Sequence, residues 1–349
     1  MKIAFILPSL DNKGPIVAAK NIITSLKEYV DLIEVFYFND KIGIDMGVTS
    51  RKISFFKKYD LEKFDIINSY SLKPDVYTAV FFKNDNRVIT TMHNYMEYDF
   101  DLLYSPLKSF IMKNIWKNSL KFKNNIIVSS TDMLTYYLSL LGRKEEIFTI
   151  IKYGVEKKEL KSISELDLGK IIKLQEKFTI LGSVGLLIKR KGYQQLVELL
   201  KSNKNYAVVI IGDGEENKSL LELVKDNNLI DRFLILGFKN NSIDYYKYFD
   251  IYMMTSYSEG CSLAMLEALS QKLPLVCSNI NNHKTCFTED EVSFFELDNL
   301  NSLSNAVLKI NDNIDYYKKS SFSLWKEKFS LEVVSKIHYQ LYNKIKEKK

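Results

Sequence analysis

The chain of 349 residues has few of the residues that usually mark a metal site. Its three cysteines, Cys261, Cys277 and Cys286, match no metal-binding spacing. An odd number of cysteines is typical of a reducing cytoplasm, where disulfides rarely persist. We therefore expect a cytoplasmic protein, and the cysteines predict no metal centre.

Long apolar runs are also missing. The opening segment MKIAFILPSL has one lysine and an apolar run that ends at Pro8, too short for a secretory signal. No run of about 18 apolar residues is present, so no transmembrane helix is predicted. The net charge is only +6, from 49 Lys and Arg against 43 Asp and Glu. Such a small excess does not indicate a nucleic-acid partner.

What the chain does contain is a regular alternation of short apolar runs and longer amphipathic stretches. A first set of predicted strands comprises 2–7, 31–38, 64–70, 87–93, 124–130 and 147–155, and a second comprises 178–185, 206–213, 232–238, 250–256 and 273–280. Helical patterns lie between most of them, beginning with 14–29. This alternation predicts parallel sheets covered by helices on both faces.

Two such sets predict two Rossmann-like α/β domains, which fits the length of the chain. We place an N-terminal domain at 1–160 and a C-terminal domain at 161–325, with the connection in the charged segment 156–177. A C-terminal helix is expected over 326–349, packing back toward the N-terminal domain. Ligands of open α/β sheets bind at the carboxyl ends of the strands, so we expect the site in the cleft between two facing domains.

The segment SEGCSLAMLEA carries two glutamates in a setting that suits a sugar nucleotide. Glu259 and Gly260 follow a predicted strand, and Ser262 is a candidate N-cap for the next helix. Free amides near Ser262 and Leu263 suit a phosphate or a sugar hydroxyl. Glu267, inside that helix, could accept two hydrogen bonds from a ribose diol. Glu259 could then hold the sugar end of the same nucleotide-sugar and act as a catalytic residue. The simpler alternative is one exposed loop glutamate and one ordinary helical glutamate.

Three upstream segments end strands in glycine. SVGLLIKRKG has Gly185 at a strand end and then a basic loop in which Arg190 and Lys191 could neutralise a diphosphate. IIGDGEE supplies Gly212 and LILGF supplies Gly237 at two further strand ends. Each segment alone could be a solvated basic turn or an ordinary loop. Their order along the chain makes a nucleotide-sugar site the better interpretation.

In this order the four segments resemble the donor domain of retaining glycosyltransferases of family GT4, which have the GT-B fold. The family signature of two glutamates separated by seven residues matches Glu259 and Glu267. The N-terminal half is similar more loosely: FILPSLDNKGP resembles the first strand and glycine-bearing loop, with Gly14. TTMHN resembles the strand that ends in the family's active-site histidine, here His93. The resemblance implies that His93 contacts the donor sugar.

The chain also departs from the family pattern. Leu186 stands where the family commonly has an arginine that contacts the donor diphosphate, while Lys191 matches its second cation. NNHKT follows SNI where the family often has two glycines and a glutamate. These departures leave open a transferase-like subunit without activity that stabilises an active partner.

A different kind of site is suggested by Asp99 and Asp101, which form a DxD pair like the metal-binding signature of GT-A transferases. This spacing is common by chance, and no predicted strand leads into it. We therefore predict no metal and no cofactor. Lys and Arg side chains and a helix N-terminus would neutralise the diphosphate instead.

Residues 102–131 contain five lysines and no acidic residue. Lys113, Lys117 and Lys121 recur every four residues and so line one face of a predicted helix, with Trp116 beside them. Ile111 and Ile115 are expected to point into the core. Such a stripe suits the headgroups of an anionic membrane, but an ordinary solvated lysine face explains it equally well.

The resemblance to family GT4, together with these patterns, implies a retaining glycosyltransferase. It would move a hexose or N-acetylhexosamine from a nucleoside diphosphate sugar, with a UDP-sugar favoured, to a glycan acceptor. A lipid-linked oligosaccharide of cell-surface polysaccharide synthesis is the expected acceptor, reached from the cytoplasm or from the inner face of the cell membrane. A nucleotide-sugar epimerase of the same fold is an alternative, because it would use the same donor without an acceptor.

Overall fold

The computed structural model describes residues 1–40, 43–93, 95–260 and 262–348, except for the side chains of 98, 99, 102 and 103. The chain divides into two compact units. One comprises Met1–Gly154 together with Leu331–Lys349, and the other comprises Val155–Ser330.

The first unit contains a sheet of seven parallel strands in the order β3-β2-β1-β4-β5-β6-β7. The strands are β1 (Lys2–Leu7), β2 (Leu32–Tyr37), β3 (Ser50–Lys52), β4 (Ile66–Tyr70), β5 (Val88–Thr91), β6 (Asn125–Val128) and β7 (Phe148–Ile150). Its helices are α1 (Gly14–Leu26), α2 (Leu72–Phe81), α3 (Met96–Leu103), α4 (Pro106–Leu120), α5 (Thr131–Leu141) and the C-terminal helix Leu331–Glu347.

The second unit contains a sheet of six parallel strands in the order β10-β9-β8-β11-β12-β13. The strands are β8 (Thr179–Val184), β9 (Tyr206–Ile211), β10 (Phe233–Ile235), β11 (Ile251–Met254), β12 (Leu275–Ser278) and β13 (Ser293–Phe295). Its helices are α6 (Glu165–Gln175), α7 (Gln194–Ser202), α8 (Asn217–Asp226), α9 (Leu263–Ser270), α10 (Asn281–Cys286), α11 (Leu300–Asp312) and α12 (Ile314–Leu324); the C-terminal helix Leu331–Glu347 of the first unit is α13.

The central strands are buried on both faces, which explains their continuous apolar sequences. On β1, Ile3 and Phe5 pack into one core cluster with residues of α1 and α13. Ala4 and Ile6 point to the opposite face and pack into another cluster with Phe36 and Tyr77. Successive side chains of a strand alternate between faces, so the sheet separates two cores.

The prediction of two parallel α/β sheets is confirmed. The elements that the sequence analysis missed include one short edge strand and one helix. The edge strand β3 has the sequence SRK and is exposed, so no apolar pattern marks it. Residues 156–177, predicted as a connection, contain α6, which lies in the second unit. Ser164 caps α6 by accepting a hydrogen bond from the Asp167 amide at 3.2 Å. A serine cap three residues before an aspartate is a helix signal that the charged composition obscured.

Candidate functional site

In each sheet the strand order reverses at one point, between β1 and β4 in the first and between β8 and β11 in the second. Ligands of open α/β sheets bind at such switch points, beyond the carboxyl ends of the strands. β8 and β11 pair in parallel, so the loops that follow them leave the same edge. Two hydrogen bonds of 2.8 Å join these loops: the Thr255 hydroxyl donates to the Lys191 carbonyl, and the Tyr257 amide donates to the Arg190 carbonyl.

Glu259 lies at the centre of this edge and is only 6% exposed. Lys191 Nζ donates to its Oε1 at 2.6 Å, and the Ser256 hydroxyl donates to the same oxygen at 2.7 Å. Arg190 Nη1 lies 3.4 Å from Oε2 and also donates to the Ser258 carbonyl at 2.7 Å. The carboxylate is therefore paired with both cations that the sequence analysis assigned to a diphosphate.

The charge state of Glu259 follows from this pairing. Burial by itself would raise the pKa of Glu259, but attraction to Lys191 and Arg190, with hydrogen bonds from Lys191 and Ser256, outweighs it and lowers the pKa to about 2. Glu259 is thus a carboxylate at neutral pH. With two cations against one anion, the cluster retains a positive charge that an anionic ligand could neutralise.

Gly192 makes the close approach of the two loops feasible. Its φ is +64°, in the left-handed region that glycine adopts without steric cost. A Cβ at Gly192 would lie 2.4 Å from the Thr255 carbonyl oxygen, a clash with backbone. A larger residue would therefore separate the basic loop from the loop that carries Glu259.

The three predicted strand-end glycines of the second unit come together beside this cluster. The Gly212 amide donates to the Gly237 carbonyl at 2.9 Å, and the Gly185 amide donates to the Ile211 carbonyl at 3.0 Å. A Cβ at Gly212 would lie 1.8 Å from the Gly185 carbonyl oxygen, so these backbones touch. Next to them Leu186 is 60% exposed, an apolar side chain at an otherwise polar edge.

Helix α9 follows Glu259 and carries the second glutamate. Ser262 occupies the N-cap position, but its hydroxyl makes no capping hydrogen bond, and Leu263 is the first helical residue. Gly260, just before, is half-buried. Glu267 lies in the second turn, where Tyr246 donates to its Oε2 at 3.4 Å. Burial raises the pKa of Glu267, and Lys158 and Tyr246 offset this only in part.

His93 lies in the first unit, two residues beyond β5, and is buried. Its ring packs against Tyr70 and Tyr153 at centroid distances of 4.8 and 5.5 Å, and its Nδ1 hydrogen-bonds the Tyr153 hydroxyl. Burial lowers the pKa of His93 to about 3, so the ring is neutral at pH 7. Among the described residues its Nε2 has no partner, and the ring lines a small cavity together with His338 of α13.

Gly14 begins α1 in the first unit. A Cβ at this position would meet no heavy atom within 4 Å, and Gly14 is exposed. The backbone at the start of α1 is therefore open, and the role of Gly14 in donor binding stays a prediction.

The predicted lysine stripe of α4 needs correction. Trp116 does not lie on the exposed face: it is 6% exposed, and its indole Nε1 donates to Asp75 Oδ2 at 2.7 Å. Ile111 and Ile115, predicted to face the core, are exposed instead. Lys113 Nζ pairs with Asp101 Oδ1 at 2.8 Å, which leaves less of its charge for a partner. Lys117 is half-buried and Lys121 is exposed.

The alternative DxD pair is only partly described, because the side chain of Asp99 lies outside the described residues. Asp101 accepts hydrogen bonds from Ser109 and Lys113. Among the described residues no group of three or more His, Cys, Asp or Glu side chains is arranged to hold a metal ion. The absence of a metal requirement stays a prediction.

Two residues of the edge were missed from sequence. Ser256 belongs to the TSYSEG segment, but only the folded structure shows that its hydroxyl donates a hydrogen bond to Glu259. His283 of α10 follows β12, and its Nδ1 donates to the Ser278 carbonyl at 2.8 Å. Burial lowers the pKa of His283, and the hydrogen bond to Ser278 and the charge of Glu259 offset this only in part. Its Nε2 is buried and has no partner within the described part of the chain, so this histidine adds a neutral imidazole to the edge.

Comparisons with known proteins agree with this geometry. Residues 167–320 match the family of glycosyl transferases group 1. The chain is 24% identical over 353 residues, with 99% of both chains covered, to the O-antigen biosynthesis glycosyltransferase WclY of Escherichia coli. It is 27% identical over 274 residues, 75% of this chain and 70% of the relative, to the UDP-Gal:alpha-D-GlcNAc-diphosphoundecaprenol alpha-1,3-galactosyltransferase of Escherichia coli.

Among solved structures, Anabaena Alr3699/HepE in complex with UDP matches with a TM-score of 0.80 at 16% identity, covering 99% of this chain and 100% of that chain. This likeness extends over both sheets and shows the GT-B fold that the sequence motifs predict. Residues 167–320 are therefore similar to the group 1 glycosyl transferases, and the chain has the GT-B fold of the solved structures it resembles.

Proposed function

We propose that this glycosyltransferase moves a hexose or N-acetylhexosamine from a UDP-sugar to a lipid-linked oligosaccharide, with retention of configuration at the sugar carbon. The observation that carries the proposal is the pairing of the buried Glu259 with the buried Lys191 and the half-buried Arg190 at the switch point of the second sheet. The names of the relatives support the donor and the acceptor, since one uses UDP-Gal and a diphosphoundecaprenol-linked sugar and another acts in O-antigen biosynthesis.

In this proposal the cluster binds the donor diphosphate. Lys191 has three N–H donors and Arg190 has five, and Glu259 occupies only part of them. The remaining donors would bind the diphosphate oxygens, whose negative charge grows as the sugar departs. Glu259 holds both cations in place before the donor arrives, so that they need little reorganisation when charge develops. No metal ion is needed for this neutralisation.

The two glutamates then have different roles. Glu267, partly buried and bound to Tyr246, would accept hydrogen bonds from the ribose hydroxyls. Glu259, with the backbone of Gly260 beside it, would face the sugar. The amides at Ser262 and Leu263 would add donors for a phosphate or hydroxyl. In the first unit, His93 would contact a sugar hydroxyl, because its neutral ring suits hydrogen bonding better than charge stabilisation, and Gly14 would leave the start of α1 open to a ligand.

The setting would be the cytoplasm or the inner face of the cell membrane, where polyprenyl-linked acceptors and UDP-sugars meet. Leu186 supports a second candidate, a non-catalytic subunit, because an exposed leucine replaces the arginine that the family commonly uses on the diphosphate. Turnover by the isolated chain separates the two candidates.

The test begins with a panel of nucleotide sugars and thermal unfolding. A bound donor at about 100 times its dissociation constant adds about 2.7 kcal/mol of stability. The donor that stabilises the chain is then supplied with a polyprenyl-diphosphate sugar, and NMR of the product reports the anomeric configuration. Stabilisation by UDP-sugars and a retained anomer support the proposal. An inverted product overturns the mechanism, release of an altered sugar without acceptor indicates an epimerase, and no turnover with any pair favours the non-catalytic subunit.

A further inference from the structure

Helix α4 presents an apolar face to solvent. Leu107 is 72% exposed, Phe110 is 64% exposed, and Ile111 and Ile115 are both about half exposed. Their spacing of three or four residues places them on one side of the helix, and Phe122 extends the row just past its end. A surface helix normally turns its apolar stripe toward the core, so this helix is oriented the opposite way.

The inward side of α4 explains why the orientation is fixed. Ser109, Trp116 and Leu120 are buried there. The Ser109 hydroxyl donates to Asp101 at 2.6 Å, and the Trp116 indole donates to the buried Asp75 at 2.7 Å. Turning the apolar row inward would remove both hydrogen bonds and leave a buried carboxylate without one of its donors, which is costly. The outward row is therefore built into the fold.

The flanks of the apolar row are basic. Lys108 and Lys121 are exposed, and Lys117 is half-buried on the same helix. Residues 102–131 contain no acidic side chain. Exposed apolar side chains between lysines are the composition of helices that lie in the interface of an anionic membrane. Within the described residues no helix is long and apolar enough to cross a bilayer.

We propose that the apolar face of α4, formed by Leu107, Phe110, Ile111, Ile115 and Phe122, docks on an anionic lipid bilayer. The apolar side chains enter the boundary between headgroups and acyl chains, and Lys108, Lys117 and Lys121 contact the anionic headgroups. This mode of binding differs from the lysine stripe predicted from the sequence, because apolar side chains insert into the bilayer and the lysines only support them. The inference does not rest on the proposed transfer reaction, because binding to lipid needs neither donor nor acceptor.

A lipid surface fits this face better than a second copy of the chain. Two copies paired through α4 would bring their lysines together, with no acid within 102–131 to neutralise them. Like charges facing each other destabilise an interface. Anionic headgroups supply the complementary charge and the adjoining apolar layer at once.

The experiment is co-sedimentation of the full chain with vesicles of phosphatidylcholine containing phosphatidylglycerol, at low and high salt. The test variant is Leu107→Gln with Phe110→Gln and Ile111→Gln. Leu166→Gln is the matched control, because Leu166 is 71% exposed and, like Leu107, is the second residue of its helix. We expect the triple variant to lower the partition coefficient at least about tenfold, since each apolar group adds to insertion, and the control to match the wild type.

A second measurement reports insertion directly. Both native tryptophans are buried, so a Phe110→Trp variant adds an exposed indole whose emission should shift to the blue on vesicles. Leu166→Trp should not shift. Far-UV circular dichroism shows whether each variant is folded.

Three outcomes overturn the proposal: no sedimentation of the wild type, equal sedimentation of the folded triple variant, or a dimer in vesicle-free buffer that the triple variant abolishes. The last outcome would assign the face to a second copy. Activity on a soluble acceptor is measured in parallel, so failure of membrane docking and failure of the transferase proposal are recorded separately.

Discussion

Glu259→Gln should destabilise the second unit, because the substitution leaves the buried Lys191 and the half-buried Arg190 without their anion. The pKa of Glu259 falls from 4.5 to about 2 in the folded chain, and each pKa unit corresponds to about 1.36 kcal/mol. Ionisation of Glu259 therefore adds about 3 kcal/mol to the unfolding free energy at pH 7, relative to the protonated carboxyl. Because the folded pKa is depressed, this contribution is complete above about pH 4.5 and is lost as pH falls toward 2. The value at pH 7 is close to the usual cost of removing one partner of a buried ion pair, which is about 3–5 kcal/mol.

The assay needs a signal from the second unit alone. The chain has two tryptophans, Trp116 in the first unit and Trp325 in the second. In a Trp116→Phe background, the emission of Trp325 during urea unfolding at pH 7 reports the second unit. We expect Glu259→Gln to lower its unfolding free energy by about 3 kcal/mol.

Glu267→Gln is the matched control, since it makes the same change eight residues along the chain. Glu267 has a raised pKa and no cation within ion-pair distance among the described residues, so its neutral amide should not lower stability. Lys191→Met combined with Glu259→Gln should cost less than the two single changes added together, as expected for coupled partners. An unfolding midpoint of Glu259→Gln equal to that of the wild type, or strictly additive costs, would refute the ion-pair reasoning.

Four further outcomes are expected. Burial lowers the pKa of both His93 and His338 to about 3, so the unfolded chain takes up their protons first and stability falls as pH drops below about 6.5. At pH 5 the loss should be about 2 kcal/mol for each ring relative to pH 8, measured by urea unfolding; a pH-independent midpoint contradicts it. Gly192→Ala should lower the unfolding free energy by more than about 1 kcal/mol because the backbone at Gly192 is left-handed. Gly169→Ala inside α6 should raise it slightly. Equal melting temperatures of the two variants would be inconsistent with this. Glu267→Ala should weaken UDP binding by about 1.5–3 kcal/mol in calorimetry, and unchanged affinity in the folded variant removes it from the site. Activity should persist in excess EDTA, and an absolute Mn²⁺ or Mg²⁺ requirement would contradict the metal-free proposal.

The sequence by itself determined the two sheets and the edge that carries the candidate site. Strands such as Lys2–Leu7 and Tyr206–Ile211 are buried on both faces, so their apolar runs stand out without any knowledge of neighbours. The spacing of Glu259 and Glu267 and the glycines at strand ends are equally local. Each is set by the residue and its immediate neighbours in the chain, which is why a pattern is sufficient to find it.

Only the tertiary structure decided how those residues pair and which way α4 faces. Lys191 and Glu259 are 68 positions apart, and they meet because β8 and β11 are neighbours at the point where the strand order reverses. Helix α4 has apolar residues on both sides, so periodicity could not choose between Trp116 and the isoleucines as its core residue. The buried Asp75 of α2 makes Trp116 the core residue, because the Asp75 carboxylate accepts a hydrogen bond from the indole N–H. Asp75 lies on another helix, so the sequence pattern of α4 does not reveal this partner.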